Sequence, residues 1–510
     1  MTVVSSQEAL PLRDAILSGR HSLPDIEQLA PWLQRFLDNE RGALGIWFGA
    51  GPLTPTAGYD ILRGLVDRDI AAIDDLLSLQ LDAVLHHTRL QRFEGSWRGL
   101  WWLVQCIEPR RRVKVAVLPA SWRDLDRDIA RAVEFDQSGV FRLVYENEFG
   151  SPGGEPFGLL LIDHEVSHRP NPRDRSGQAP VDDISLLTAF ASIAAAAFVP
   201  TVLAASPALL GADSFEDLAL SSDMTSTLND HDHARWRAAA SREDTRFLCV
   251  TLPRVQARPR WTTHPDHKGG LRYEEHAPSC RERTWAVAGY AFAASVARSH
   301  ADHGWPADVR GVGTDRVGGG LVLNLPQEPF VFGAATASPR SPLSLGLTDA
   351  QEYMLNQAGL MPLNTLPYGE AAFASVHSLQ TVRTPTPGRE PTAAQANRRI
   401  SAQISAMLCV SRFAHYIKVL GRQLTGSLYE AAEIEARLQR WLDKYVNANP
   451  DSRPETRAGT PLLGGRVAVQ PMEGQPGSYS CVFHLQPYHQ LDDISAVFRL
   501  ATSFSNLGAA

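Results

Sequence analysis

Phe93-Glu94-Gly95-Ser96-Trp97-Arg98-Gly99-Leu100-Trp101-Trp102-Leu103-Val104 is the stretch around which the chain is organised. Three tryptophans fall within six residues, joined to one Glu, one Arg and two Gly. Rings this dense bury a large apolar area in a core or an interface. The glycines permit close backbone approach or a turn. A helix pattern leads in: Ile70, Ile73, Leu77, Leu81 and Val84 recur at spacings of three and four between Asp67 and His87. A strand pattern, Val113-Lys-Val-Ala-Val-Leu118, follows. The stretch therefore reads as a ligand-free hinge between a helix and a strand, and as an assembly element. Glu94 and Arg98 stand at the i, i+4 spacing of a helical ion pair. Trp97→Ala is expected to cost about 3–5 kcal/mol if the ring locks the helix onto the strand.

Working outward, the 510 residues exceed one core and predict two to four domains at roughly 150 residues each. An apolar fraction of 44% and a charged fraction of 21% are those of a soluble globular protein. A net charge of −7 argues against a dedicated nucleic-acid binder. Cys106, Cys249, Cys280, Cys409 and Cys481 are isolated and without CxxC spacing, which speaks for a reducing compartment and against a disulfide framework or zinc site. No charged-then-apolar leader opens the chain. The apolar run Leu186 to Ala205 is broken by Thr188, Ser192, Pro200 and Thr201, and reads as a buried helix and strand instead of a membrane span. A cytoplasmic location is expected.

Downstream, Ser121 caps a helix to about Val133, with Asp124 at the capping-box position. Phe157–Ile162, Pro200–Ala205 and Phe247–Leu252 read as strands, alternating with helices at Asp183–Ala197 and Asp232–Ser241. That alternation predicts an α/β fold (α+β overall), with a central mixed, largely parallel sheet covered by helices. A helix is expected at Thr284–His300, a short one at Asp349–Ala358 and a strand at Ala371–Gln380. The C-terminal part reads as a helical pair, striped by Ile400 to Leu424 and Ile434 to Tyr445. An antiparallel β meander of Arg466–Val469, Tyr479–Leu485 and Ile494–Leu500 follows. The expected domains are an extension arm at 1–66, a main α/β domain at 67–382, a Pro-rich linker at 383–392 and a C-terminal domain at 393–510.

Sites of chemistry are poorly supported. Asp163-His164-Glu165-Val166-Ser167-His168 misses His-Glu-x-x-His spacing by one residue and reads as a polar strand-end loop. Asp230-His-Asp-His233, His264-Pro-Asp-His267 and His300-Ala-Asp-His303 lie in polar stretches. Gly311–Gly320 is Gly-rich but lacks GxGxxG and the Lys-Ser/Thr of a phosphate loop. No GxSxG elbow occurs. No metal, cofactor or catalytic residue is expected.

A series of blocks remains. It starts at Glu94-Gly-Ser-Trp-Arg-Gly-Leu100 and continues with Phe135-Asp-Gln-Ser138, Val144-Tyr-Glu-Asn-Glu-Phe-Gly150 and Gly153-Gly-Glu-Pro-Phe-Gly158. Ile193-Ala-Ala-Ala-Ala197, Ala204-Ala-Ser-Pro207, Glu243-Asp-Thr-Arg246 and Leu252-Pro-Arg254 follow. His303-Gly-Trp305, Arg310-Gly-Val312, Gly359-Leu-Met-Pro-Leu363 and Ser411-Arg-Phe-Ala-His-Tyr-Ile-Lys418 complete it. In this order, over residues 67–500, the chain resembles the large subunit of the type VI secretion contractile sheath, the TssC/VipB/EvpB family. It departs at Ala257-Arg-Pro-Arg-Trp261, where the family usually carries Arg-Leu-Pro-Tyr-Gly, and residues 1–66 match poorly.

The resemblance implies a contractile tail-sheath-like fold and a structural, non-catalytic role. A large subunit pairs with a small sheath subunit (TssB/VipA-like) and self-assembles into a helical sheath around the Hcp inner tube. The sheath stands on a membrane-associated baseplate, contracts to propel the tube, and is recycled by a ClpV-type AAA+ ATPase. It implies no cofactor and no stable membrane insertion. Glu94, Trp97, Arg98, Gly99, Arg310, Arg412, His415 and Lys418 are the assembly candidates within its motifs. The Ile494–Leu500 strand or the N-terminal arm is expected to pair with a neighbour's strand. The rivals are a sheath-like paralogue acting as a non-polymerising tube or baseplate adaptor, and a cytosolic α/β enzyme.

Overall fold

The computed structural model describes residues 12–18, 31, 34–35, 38, 42–48, 59–107, 113–151, 153–170, 180–221, 223–264, 270–312, 318–328, 331–332, 335–336, 340–366, 369–381, 401–424, 429–449, 452–472, 478–488 and 498–505. The chain folds into two compact units, one of residues 1–91 and 260–283, the other of 92–259 and 284–510. The expected linker at 383–392 lies outside the described residues, as does Ile494.

The first unit is built on the helix Tyr59–Leu85, which begins before the expected Asp67. Its Asp69 is buried and accepts hydrogen bonds from Arg13 Nε at 2.7 Å, Arg13 Nη2 at 2.9 Å and Trp47 Nε1 at 2.9 Å. A buried carboxylate survives only with such partners, and Arg13 holds it below the usual carboxylate range. The short helices Leu12–Leu17 and Ala43–Phe48 are thereby tied to the long one. The segment 260–283 clasps the same helix. Tyr273 Oη donates to Asp82 Oδ1 at 2.6 Å, and His86 Nε2 lies 3.3 Å from Glu275 Oε1. The apolar stripe read from the sequence is present, yet Ile70, Leu77, Leu81 and Val84 stay exposed.

The second unit holds a four-stranded sheet in the order β1-β2-β3-β4, with β1 Leu160–Val166, β2 Thr201–Ala205, β3 Leu248–Leu252 and β4 Met361–Pro362. Each neighbouring pair is parallel, as the strand–helix alternation predicts. β2 and β3 are buried on both faces. The Ala-rich helix Asp183–Ala197 packs with Leu160 and Ile162. On the opposite face, the helix Gly289–His303 approaches so closely that a Cβ on Gly289 would lie 2.5 Å from Leu161 Cδ1. Leu186, Phe190 and Ile193 fill the space on the Asp183–Ala197 side, whereas Gly289 admits the helix Gly289–His303 close to the sheet.

Several expectations change. The Trp-rich stretch is no hinge: it lies inside one unbroken helix, Thr88–Cys106. Residues 113–118 join no strand among the described residues, and Val115, Val117 and Leu118 are exposed. Asp163–Val166 is no strand-end loop but the second half of β1. Of Ala371–Gln380, only Ala371–Ala372 is strand, and residues 284–288 precede the helix that begins at Gly289. The capping box of Ser121 and Asp124 forms as read.

The C-terminal part carries the helices Ile404–Leu424 and Ala431–Asp443. An antiparallel meander follows: β5 Leu462–Pro471, β6 Ser478–Pro487 and β7 Phe498–Ser505. Trp305 stacks on Phe413 at 4.2 Å and anchors a separate apolar cluster of Ile417, Leu438, Leu442, Val467, Cys481 and Phe483.

Candidate assembly site

On the helix Thr88–Cys106 the aromatic residues separate by face. Trp102 is 9% exposed, and its Nε1 donates to the Asn324 carbonyl at 2.8 Å. Phe93, Trp97, Trp101 and Val104 are 63%, 56%, 62% and 46% exposed. Their spacing of four, four and three puts them in one stripe, and Phe93 meets Trp97 edge to face at 6.2 Å. Trp97 is therefore not the locking ring that the sequence expectation made it. Trp102 is the buried ring of the stretch.

The buried side of the helix is fixed by its glycines and its carboxylate. A Cβ on Gly95 would lie 2.1 Å from the Trp285 carbonyl oxygen, and one on Gly99 would lie 2.6 Å from the Tyr290 ring. Gly95 and Gly99 thus allow close approach and not a turn. Glu94 Oε1 accepts from Arg98 Nε at 2.6 Å, the expected pair, and also from Arg258 Nε at 2.8 Å. Glu94 Oε2 accepts from Thr284 Oγ1 at 3.2 Å. Arg258 is buried and Arg98 half-buried. Burial works to raise the Glu94 pKa, but the hydrogen bonds from Arg258 and Arg98 outweigh it and keep the carboxylate below its usual range.

Arg412, His415 and Lys418 come together on a second site, along one face of the helix Ile404–Leu424. Arg412 Nη1 donates to the Pro156 carbonyl at 3.2 Å and lies over the Tyr416 ring. His415 is buried, with Nε2 3.2 Å from the Ala197 carbonyl. Burial brings its pKa down to about 4, so the ring is neutral and Nε2 donates. Lys418 Nζ donates to Tyr145 Oη at 2.9 Å and lies 4.4, 5.1 and 5.0 Å from the ring centres of Tyr145, Phe149 and Phe198. These contacts staple the C-terminal helix to segments 145–156 and 197–198. Arg310 stands elsewhere, lining a shallow cavity with Asp308, Ser405, Arg457 and Tyr488. Burial raises the Asp308 pKa there.

Sequence reasoning missed Arg258, Thr284 and the Tyr145, Phe149 and Phe198 box. Arg258 lies 164 residues from Glu94, so no local spacing announces the pair. The histidine pair of the DHEVSH segment separates. His164 stacks on Trp122 at 4.2 Å and contacts Asp183, while His168 stacks on His233 at 3.9 Å. Among the described residues no group of three or more His, Cys, Asp or Glu is placed to hold a metal ion. Among them no helix is long and apolar enough to cross a membrane.

Comparison with known proteins adds the family. The model described as EvpB/VC_A0108, tail sheath N-terminal domain, matches residues 67–380. The model described as EvpB/VC_A0108, tail sheath gpW/gp25-like domain, matches residues 393–504. The type VI secretion system sheath protein TssC1 of Pseudomonas aeruginosa is 32% identical over 442 residues, covering 86% of this chain and 85% of the relative. The sheath tail protein of Desulfitobacterium hafniense overlaps at a TM-score of 0.30 and 10% identity, over 64% of this chain and 62% of that one. A chain of the anti-feeding prophage baseplate overlaps at a TM-score of 0.34 and 11% identity, over 75% and 81%. Overlaps this low carry no argument; the family rests on the matched models and the sequence relative. The chain belongs to the EvpB/VipB tail-sheath family of type VI secretion systems.

Proposed function

We propose that the chain is the structural large subunit of a contractile sheath. In this reading it pairs with a small, TssB/VipA-like sheath subunit and polymerises around an Hcp tube on a baseplate. Contraction then propels the tube, and a ClpV-type AAA+ ATPase recycles the spent sheath. It works in the cytoplasm without catalysis or cofactor. Residues 67–382 act as the main sheath domain and 393–510 as the C-terminal one, joined through 383–392.

One observation carries the reading. Phe93, Trp97, Trp101 and Val104 form an exposed aromatic stripe on a helix whose other face is pinned by Gly95, Gly99, Trp102 and the Glu94–Arg258 pair. Exposed apolar patches of this kind mark protein contacts, and Trp is the residue most enriched at binding hot spots. A rigid backing lets such a stripe be presented without an ordering cost on binding.

The test is co-expression with a TssB/VipA-like small sheath subunit, followed by pull-down and negative-stain microscopy. Long tubules from the parent chain, and loss of co-purification in Trp97→Ala/Trp101→Ala with its circular dichroism unchanged, are expected. Discrete dimers under tubule-forming conditions favour the adaptor reading. Undiminished co-purification of the double variant removes the stripe from the partner contact.

A further inference from the structure

The connection from β2 to β3 leaves the sheet through the turn Pro207–Leu210. It passes a second turn at His231–His233 and returns by way of the helix Ala234–Ala240. Two adjacent residue pairs tie it to the chain just beyond β1. His168 stacks on His233 at 3.9 Å, with 27° between the ring planes, and Arg169 pairs with Asp232.

The hydrogen bonds fix the tautomers. His233 Nε2 lies 2.9 Å from the Leu209 carbonyl, which only accepts, so Nε2 carries the proton. The backbone of the preceding residue, Ala208, accepts from the His168 ring. Both Nδ1 atoms are buried and, among the described residues, have no hydrogen-bond partner. In the neutral ring this nitrogen carries only a lone pair. A second proton would place an N–H there, buried and facing no acceptor. It would also set a positive ring 3.9 Å from its neighbour, and two positive rings at that distance repel.

The charged neighbours do not remove this cost. Arg169 opposes a positive His168, while Asp232 favours one but is already bound to Arg169. His231 acts on Asp232 from the same turn. On the following helix, Arg235 is engaged with Asp182, and Arg237 with the Leu228 and Asp230 carbonyls. Burial, His233 and Arg169 together hold the His168 pKa below the ordinary imidazole value.

We propose that His168 and His233, flanked by Arg169 and Asp232, form an acid-released clasp that holds the β2–β3 connection to the end of β1. The folded-state pKa of His168 lies below the unfolded one. The clasp is therefore fully held above about pH 6.5 and is lost as pH falls from there through the folded value. Release loosens the turns Pro207–Leu210 and His231–His233 first, while β2 and β3 stay paired in the sheet.

The test is hydrogen exchange of the full-length chain at pH 7.5 and pH 5.0, corrected for the intrinsic rate at each pH. Peptides covering 206–212 and 229–236 are expected to exchange at least about tenfold faster at the lower pH, relative to β3. His168→Phe keeps a ring for the stack and does not titrate. In it that acceleration is expected to shrink to under about threefold, while any acid response of the helix Ile404–Leu424 is unchanged. Absence of the selective acceleration in the parent overturns the clasp, and so does equal acceleration in parent and variant. Should His168→Phe fail to fold, His168→Gln takes its place: it keeps a donor for Ala208, does not titrate, and is read by the same outcomes.

Discussion

Trp97 and Trp102 stand five positions apart on one helix and do opposite things. Trp102 is buried and hydrogen-bonded to the Asn324 carbonyl, so Trp102→Ala is expected to destabilise the chain by about 3–5 kcal/mol. Trp97 is more than half exposed, so Trp97→Ala should leave stability within about 0.5 kcal/mol of the parent. Urea titration of the two variants checks the pair, and equal costs would sink the assignment of faces. Glu94 is the other pivotal residue. Glu94→Ala removes the carboxylate that pairs with the buried Arg258 guanidinium, with a loss of about 3 kcal/mol expected. Arg98→Ala, at a more open site, should cost under about 1 kcal/mol. Because the folded pKa of Glu94 is depressed, its contribution is full above the unfolded carboxylate value of about 4.3 and is lost as pH falls through the folded one.

At the scale of elements, the helix Ile404–Leu424 carries its motif as a staple. His415 has an unfolded pKa near 6.5 and a folded one of about 4. The unfolded chain therefore binds the proton more readily, and stability is lost as pH falls from about 6.5 toward 4, by roughly 3 kcal/mol in all. His415→Gln keeps a donor for the Ala197 carbonyl and does not titrate, so its stability should fall less steeply over that window. Parallel pH profiles would reject the cause. Lys418→Met should cost about 1–2 kcal/mol, by removing the cation from the Tyr145, Phe149 and Phe198 rings. Elements were legible where one local signal sufficed. Asp183–Ala197 is continuous, apolar and Ala-rich, and its helix has those bounds. Val113–Leu118 alternates like a strand but joins no strand among the described residues. A strand needs a neighbour that a local pattern does not supply. The Trp-rich stretch misled in the other direction: two glycines suggested a break, yet they serve a close helix contact with Trp285 and Tyr290.

At the scale of the molecule, order along the chain was readable and long-range pairing was not. The parallel sheet and the closing meander follow from element order and turn signals. Arg258 against Glu94, and Lys418 inside a box drawn from two distant segments, do not, because nothing in a sequence ties positions so far apart. A chain ending at residue 497 should keep the four-stranded parallel sheet folded, since β7 belongs to a different sheet. Retained far-ultraviolet dichroism with loss of tubules is the expected result, and loss of both would show the two sheets to be interdependent. The stripe on the Thr88–Cys106 helix has one more consequence. Trp97 and Trp101 are exposed, so if the proposed assembly covers them their emission would move from that of a ring in water to that of a ring in an apolar setting, without any label. With 11 tryptophans in the chain, the signal of these two is isolated as the difference between the parent and a Trp97→Phe/Trp101→Phe variant. A blue shift and lost iodide quenching present only in the parent would time the moment at which the stripe leaves solvent.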